Sequence, residues 1–335
     1  MDKFFHRIIK DRELISVRYD SKTGAVWAYG NPENCPCLTL SMFEDFYSVQ
    51  KDVLDYLKAN DMKPKNPINF FVYASQVPEV FGYGGELSEL IRVIESKDRL
   101  KLEKCAEYVI KTTYINVMNF WAPLQTIALI EGDTMGGGFQ AALSYNTLIA
   151  EEQAKFGLQQ TRFNLCPGIG IYSLLARAVG MQNADKIIAG SRTYSAREMQ
   201  EMGAVTEVVP KGEGGKAIER YMKQYLRSFN VMQTLHAARL RYAPFEYKEL
   251  EDMAALWVDA MLRFDTAGLD RLKKIAESQK QHLYGISHRL RTKQDRRFDT
   301  APKTFPIVDA NGNVIAEDRR RTPDPRKNPK KGSEN

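Results

Sequence analysis

The residues best suited to chemistry in this chain lie in two glycine-rich turns and the polar groups around them. One turn reads Phe81-Gly82-Tyr83-Gly84-Gly85 and the other Met135-Gly136-Gly137-Gly138-Phe139. Each follows an apolar run, and the second leads into a helical pattern. Glycine permits close backbone approach and unusual dihedrals. N–H groups at a helix start favour developing negative charge. Two such groups converging from separate loops form an oxyanion hole for a thioester carbonyl. The same runs also read as tight connections in which glycine serves only packing. Neither matches a phosphate-cradling or dinucleotide fingerprint, the first by its spacing and the second by lacking a following Lys-Ser/Thr.

Around these turns stand the groups that could act. Tyr83 lies within the first turn and Glu86 directly follows it, while Glu131 and Asp133 precede the triple glycine. Glu86 is a candidate base and equally a helix cap, where the dipole favours an acid. Cys166 stands before Pro167-Gly168 and reads as a small packing residue. As a nucleophile it would need a base or another thiolate-stabilising neighbour. None of the four histidines, His6, His236, His282 and His288, is placed beside it by the sequence. Gln140 and Gln160 follow the triple glycine. A primary amide can hold a carbonyl or orient a water, but it cannot accept a proton near neutral pH. Met118, Phe120, Trp121, Trp257, Met261, Leu262 and Phe264 form helical stripes that read as core or as the wall of an acyl tunnel.

The elements that position these groups follow from periodicity. Residues 12–29 alternate apolar and polar around Ser21-Lys22-Thr23-Gly24, which predicts an antiparallel hairpin. Ser41 is the expected N-cap of a helix to about Asn60. Ile68–Tyr73 and Thr126–Ile130 read as strands buried on both faces. A long amphipathic helix is expected over 86–121, a shorter one to Ser144, and a strand at Leu148–Ala150. Strand–helix alternation of this kind specifies an α/β core. Residues 170–290 are mainly helical in pattern, broken near Gly203 and at 210–215. Phe305–Ala316, around Asn311-Gly312, carries a hairpin signal. Disorder is expected beyond Arg321. The resulting division is 1–210 core, 211–295 helical region and 296–335 basic tail.

The whole chain has 335 residues, 43% of them hydrophobic and 27% charged, enough for a sizeable core. The net charge is +6, much of it from Arg319, Arg320, Arg321, Arg326, Lys327, Lys330 and Lys331. That balance suits an anionic coenzyme or an acidic carrier protein. Without a compact basic-aromatic motif it does not point to nucleic acid. Cys35, Cys37, Cys105 and Cys166 show neither zinc spacing nor a disulfide framework, so free thiols in a reducing cytoplasm are expected and no metal site is. The N-terminus lacks the apolar run of a signal peptide, and no stretch reaches the length of a membrane span.

The blocks Ala128–Gly132, Gly136–Phe139, Ala154–Gly157, Pro167–Gly170 and Leu175–Arg177 resemble the crotonase (enoyl-CoA hydratase/isomerase) superfamily. Gly190–Arg192, Ala196, Ala204-Val205 and Val208-Val209 extend the likeness. Phe81 with Gly84–Leu87, Phe163–Gly168, Trp257–Ala260 and Leu272-Lys273 are similar to the diffusible signal factor synthases, which make cis-2-unsaturated fatty acids from acyl-carrier-protein thioesters. The resemblance covers roughly residues 10–280. It implies a ββα spiral core with a helical C-terminal region that commonly builds homotrimers or hexamers. It implies no permanent cofactor, with coenzyme A or phosphopantetheine entering as part of an acyl-CoA or acyl-carrier-protein substrate. Gly85 and Gly137 take the two oxyanion-donor positions. Tyr83, Gly84, Gly136, Gly138, Cys166, Pro167, Gly168 and Trp257 fall around the substrate. The positions of the family's two catalytic glutamates hold Gln140 and Gln160. Three explanations stand: redirected chemistry such as thioester hydrolysis, loss of catalysis in a binding or assembly subunit, or a deliberate Glu-to-Gln exchange.

Overall fold

The computed structural model describes residues 3–31, 37–61, 67–293, 307–308 and 314–315. A short helix α1 (Lys3–Ile8) precedes the hairpin of β1 (Ile15–Asp20) and β2 (Ala25–Gly30), which pairs Ile15 with Gly30. After α2 (Leu40–Ala59) the chain winds as a spiral. Each turn lays one strand in a larger sheet, one in a smaller sheet, and then helix. The first turn is β3 (Phe70–Ser75), β4 (Val80–Gly82), α3 (Leu87–Ser96) and α4 (Arg99–Val117). The second is β5 (Gln125–Ile130), β6 (Asp133–Met135) and α5 (Gly137–Leu143). The third is β7 (Thr147–Glu151), β8 (Lys155–Gly157), α6 (Ile171–Val179) and α7 (Met181–Gly190). Then come β9 (Thr193–Ser195), α8 (Ala196–Glu201) and β10 (Glu207–Val209), followed by α9 (Gly214–Arg227), α10 (Phe229–Tyr242), α11 (Tyr247–Leu262) and α12 (Thr266–Lys293). The larger sheet runs β1-β2-β3-β5-β7-β10 and the smaller β4-β6-β8-β9.

The strand pattern explains the layers. On β3, Phe70, Val72 and Ala74 face α9 with its Ala217, Ile218 and Met222, while Phe71 and Tyr73 enter the main core on the other face. A strand covered on both sides carries an unbroken apolar run, as the sequence shows. On β5, Ile127 and Leu129 meet the α9 layer, and Ala128 and Ile130 face the main core.

Three expectations shift. The α2 cap is Thr39, whose hydroxyl accepts from the Met42 N–H at 3.2 Å, and Ser41 lies inside the helix. The long helix over 86–121 is two helices. Lys97 turns left-handed with φ 49°, and the Asp98 carboxylate caps the second helix by accepting from Lys101 N–H at 3.1 Å. Periodicity hides this break because both helices turn apolar faces to the same core. The second helix also ends early, at Val117, before a turn in which Asn119, Phe120 and Trp121 have φ of 47°, 56° and 50°. Left-handed backbone costs about 1–2 kcal/mol per residue. Here it is held by Asn119 Oδ1, which accepts from Asn146 Nδ2 at 2.9 Å and Thr126 N–H at 3.1 Å. Phe120 is fully buried, 4.9 Å from the Phe71 ring.

The chain forms two compact units, 1–287 and 288–335. In the second, β11 (Ile307–Val308) pairs antiparallel with β12 (Val314–Ile315). Asn311-Gly312 and the tail beyond Arg321, with its basic residues, lie outside the described residues. Among the described residues no helix is long and apolar enough to cross a membrane.

Candidate active site

β4 and β6 run parallel, with Val80 opposite Asp133 and Gly82 beside Thr134. The turns that leave them are therefore neighbours. A Cβ on Gly84 would lie 2.9 Å from Gly137 N, and one on Gly137 would lie 3.7 Å from Gly85 N. The backbones of the two turns thus touch, bringing the amides of Gly85 and Gly137 together. Gly136 has φ 55° and ψ −120°, a conformation open in practice only to glycine. Leu38 N–H donates to Gly84 O at 2.7 Å and pins the first turn from outside.

These turns wall a cavity of about 650 Å³. It brings together Tyr83, Gly84, Gly85, Glu86, Gly136, Gly137, Gly138, Gln140, Gln160, Cys166, Gly168 and Trp257. Asp133 also lines it, but Pro167 and Glu131 do not. Of the other aromatic and methionine candidates, none is on the wall: Phe120 and Met261 are core, and Trp121 is largely exposed. The opposite wall was not anticipated. It comes from Phe43 and Phe46 of α2 and from a stripe of α4 that includes Cys105, Val109, Thr113 and Asn116. The i, i+3, i+4 spacing of that stripe was visible, but spacing alone does not separate a cavity wall from a core face. Gln279 of α12 closes one side, its Oε1 accepting from Leu87 N–H at 3.3 Å.

The two glutamines differ in environment. Gln140 is 4% exposed, and its Nε2 donates to the Ile169 carbonyl while Gly168 packs against its Oε1 end. Its amide is committed to backbone. Gln160 opens a 3₁₀ turn, Gln160–Phe163, and its Oε1 is buried with no hydrogen-bond partner. A buried acceptor without a donor is costly unless a ligand or water supplies one. Its Nε2 lies against Gly136, where a Cβ would approach to 2.7 Å.

Glu86 occupies the N-cap position of α3, but its side chain does not cap the helix. It accepts instead from the Ser88 hydroxyl at 3.1 Å. Tyr83 Oη donates to Asp133 Oδ2 at 3.2 Å, joining two groups that were separate candidates in the sequence. Burial raises the Cys166 thiol above its ordinary range. Cys105 is pushed up to about 11 by burial and secondarily by Glu89. Neither is poised as a thiolate. Glu131 is pushed up to about 7, first by burial and then by Glu151, yet it lies off the cavity. No histidine is among the described lining residues. Among the described residues no cluster of three or more His, Cys, Asp or Glu could hold a metal.

The family model for enoyl-CoA hydratase/isomerase matches residues 51–284. The chain belongs to this family. It therefore has the crotonase α/β fold and falls among proteins that handle coenzyme A thioesters. It is 29% identical over 184 residues to human mitochondrial methylglutaconyl-CoA hydratase, covering 54% of this chain and 52% of that protein. It is 29% identical over 180 residues to 2,3-dehydroadipyl-CoA hydratase of Escherichia coli, covering 50% and 70% respectively. The chain spans about half the length of several curated relatives it matches. The crystal structure of enoyl-CoA hydratase from Bacillus halodurans superposes with a TM-score of 0.64 at 18% identity, over 78% of this chain and 100% of that one, a likeness of fold.

Proposed function

We propose that this crotonase-family protein binds an acyl thioester and polarises its carbonyl between the backbone N–H groups of Gly85 and Gly137. The observation that supports this reading is the contact of the two glycine turns at the wall of one cavity. Donors aimed at the developing oxyanion are often the largest catalytic contribution in acyl chemistry. The printed names of the relatives, hydratases of CoA thioesters, agree with a coenzyme A substrate; an acyl-carrier protein presents the same phosphopantetheine arm. Hydration needs a titrating acid and base, and Gln140 and Gln160 supply neither. The reaction that fits is one served by polarisation, foremost thioester hydrolysis. Water adds to the held carbonyl and Glu86 takes its proton; the tetrahedral oxyanion then collapses, the C–S bond breaks, and Glu86 returns the proton to the leaving thiolate. Gln160, whose buried Oε1 has no partner within the protein, positions the water or substrate.

Thiol release from acyl-CoA and acyl-carrier-protein thioesters tests this. Turnover that is lost on Gly137→Pro is expected. Absence of turnover and of binding for every thioester would refute it. Restoring both carboxylates (Gln140→Glu with Gln160→Glu) should bring out hydratase activity if only the proton-transfer pair is missing, as it would be in an exchanged signal-synthase-type enzyme.

The second reading, a non-catalytic assembly subunit, is favoured by one observation. α10 has no buried residue and leaves Val231 and Leu235 exposed. Residues 211–295 then serve as the oligomerisation region of a trimer or hexamer. Tight self-association without thioester turnover would select this reading.

A further inference from the structure

α5 carries the cavity wall away from the glycine turns, through Gln140 and Ala141 to Ser144 and Tyr145. At 1.5 Å per residue, Ser144 lies about 10 Å beyond Gly137. The facing wall of α4 changes character on reaching this end, from Leu102 and Val109 to Thr112, Thr113 and Asn116. An acyl tunnel built only for hydrocarbon has no use for such groups, because buried polar atoms need partners.

Most of these groups are already engaged. Gln50 Nε2 donates to Asn116 Oδ1 at 2.7 Å, and Asn116 Nδ2 donates to Ser144 Oγ at 2.9 Å. Ser144 Oγ donates to Ala141 O at 2.7 Å, and Thr112 Oγ1 to Tyr108 O at 2.8 Å. Thr113 differs. It is 4% exposed and lines the cavity, yet among the described residues its hydroxyl has no hydrogen-bond partner. It is also absent from the side-chain atoms sealed away from solvent, so the hydroxyl opens onto the cavity. The network behind it fixes the wall and leaves the Thr113 hydroxyl without a partner there.

The charge of the matching group is also constrained. The only cationic side chain among the described lining residues is Lys101, near the other end of α4, where it is exposed and paired with Asp98 at 3.3 Å. A carboxylate beside Thr113 would be buried without a counter-charge.

We infer that the far end of the cavity is a polar subsite, read by Thr113, for an acyl chain bearing a neutral hydrogen-bonding group such as a hydroxyl toward its distal end. The inference rests on the thioester-binding reading. Thr113 exchanges a hydrogen bond with the chain's hydroxyl, and the carbonyl stays between the glycine turns.

Calorimetric titration of the full chain with octanoyl-CoA, ω-hydroxyoctanoyl-CoA and the monothioester of octanedioic acid, each also as the carrier-protein thioester, tests it. The hydroxylated chain should bind about tenfold tighter than the plain one, the value of one well-placed hydrogen bond. The carboxylated chain should bind weakest. Thr113→Val, close in shape, should remove the preference between the two chains, and Thr113→Ser should retain it. Equal affinity for plain and hydroxylated chains, or a preference that survives Thr113→Val, overturns the subsite while leaving thioester binding intact. Failure of every thioester to bind overturns the thioester reading and the subsite with it.

Discussion

Replacing Gln140 with glutamate would restore a carboxylate to the cavity at a cost in stability that depends on pH. Gln140 is 4% exposed, and its Nε2 donates to the Ile169 carbonyl. A carboxylate has no hydrogen to give, so the substitution sets two acceptors face to face. Leaving the Ile169 oxygen unpaired costs about 1–3 kcal/mol. Burial against a carbonyl also raises the new group's folded-state pKa above the roughly 4.3 of an unfolded glutamate. When protonated, its O–H donates to Ile169 and much of the contact returns. The penalty is therefore small below about pH 4, grows as pH climbs past the unfolded value, and levels off above the folded one. A rise of about two units adds roughly 2.7 kcal/mol once both states are ionised. The expected loss is about 3–5 kcal/mol at pH 8 and about 1 kcal/mol at pH 4. Urea unfolding followed by circular dichroism at the two pH values measures it. Gln160→Glu is the comparison: it breaks no bond to Ile169, so any pH-dependent penalty there reflects only the burial of a charge at an unpartnered oxygen. A Gln140→Glu variant as stable as the parent at pH 8, with no pH dependence of the difference, would show that this amide is not committed to Ile169.

Further outcomes follow from the same geometry. Glu86→Gln should lower thioester turnover by about 10²–10⁴-fold with little change in KM, and an unchanged kcat would remove Glu86 as the base. Gly136→Ala should lose about 1–3 kcal/mol from backbone strain, besides pressing a methyl toward Gln160 Nε2, and a wild-type melting temperature would contradict the conformation assigned there. Glu131, raised to about 7 by burial and by Glu151, favours the protonated folded state. Stability should therefore fall as pH rises from about 4.5 through 7. Glu131→Gln should flatten that fall and melt higher than the parent at pH 8; parallel pH profiles would discount the pair. Cys105, pushed up to about 11, should resist iodoacetamide at pH 8 in the folded protein and react rapidly in urea, as followed by mass spectrometry.

Where the sequence was legible, it was so because one residue type is forced. The glycine turns could be read directly, since Gly84 and Gly136 adopt positive φ, Gly84 beside the backbone of Gly137 and Gly136 beside the Gln160 side chain. The buried strands at β3 and β5 were legible because both faces are covered and their central residues are apolar. The left-handed turn at 119–121 was not legible, since no glycine marks it. Its stability comes from Thr126, on the next strand, and from Asn146, a further turn along the spiral from Asn119. The contrast between Gln140 and Gln160 was equally hidden, because identical side chains acquire different roles only from tertiary neighbours. Thr113 gave no signal, since an amphipathic helix has the same pattern over a cavity as over a core.

The parallel pairing of β4 with β6 also separates what this scaffold can change from what it must keep. The two glycine turns are joined through paired strands whose register shifts between Val80 and Gly82, so their spacing is set by one short ladder and is insulated from the helices that follow. The helices of the first turn, α3 and α4, hang from that ladder at one end and supply most of the opposite wall. Substitutions along α4 can therefore retune which acyl chain fits while the carbonyl-holding geometry is inherited unaltered. Drift in ligand preference and drift in reaction type can then proceed independently.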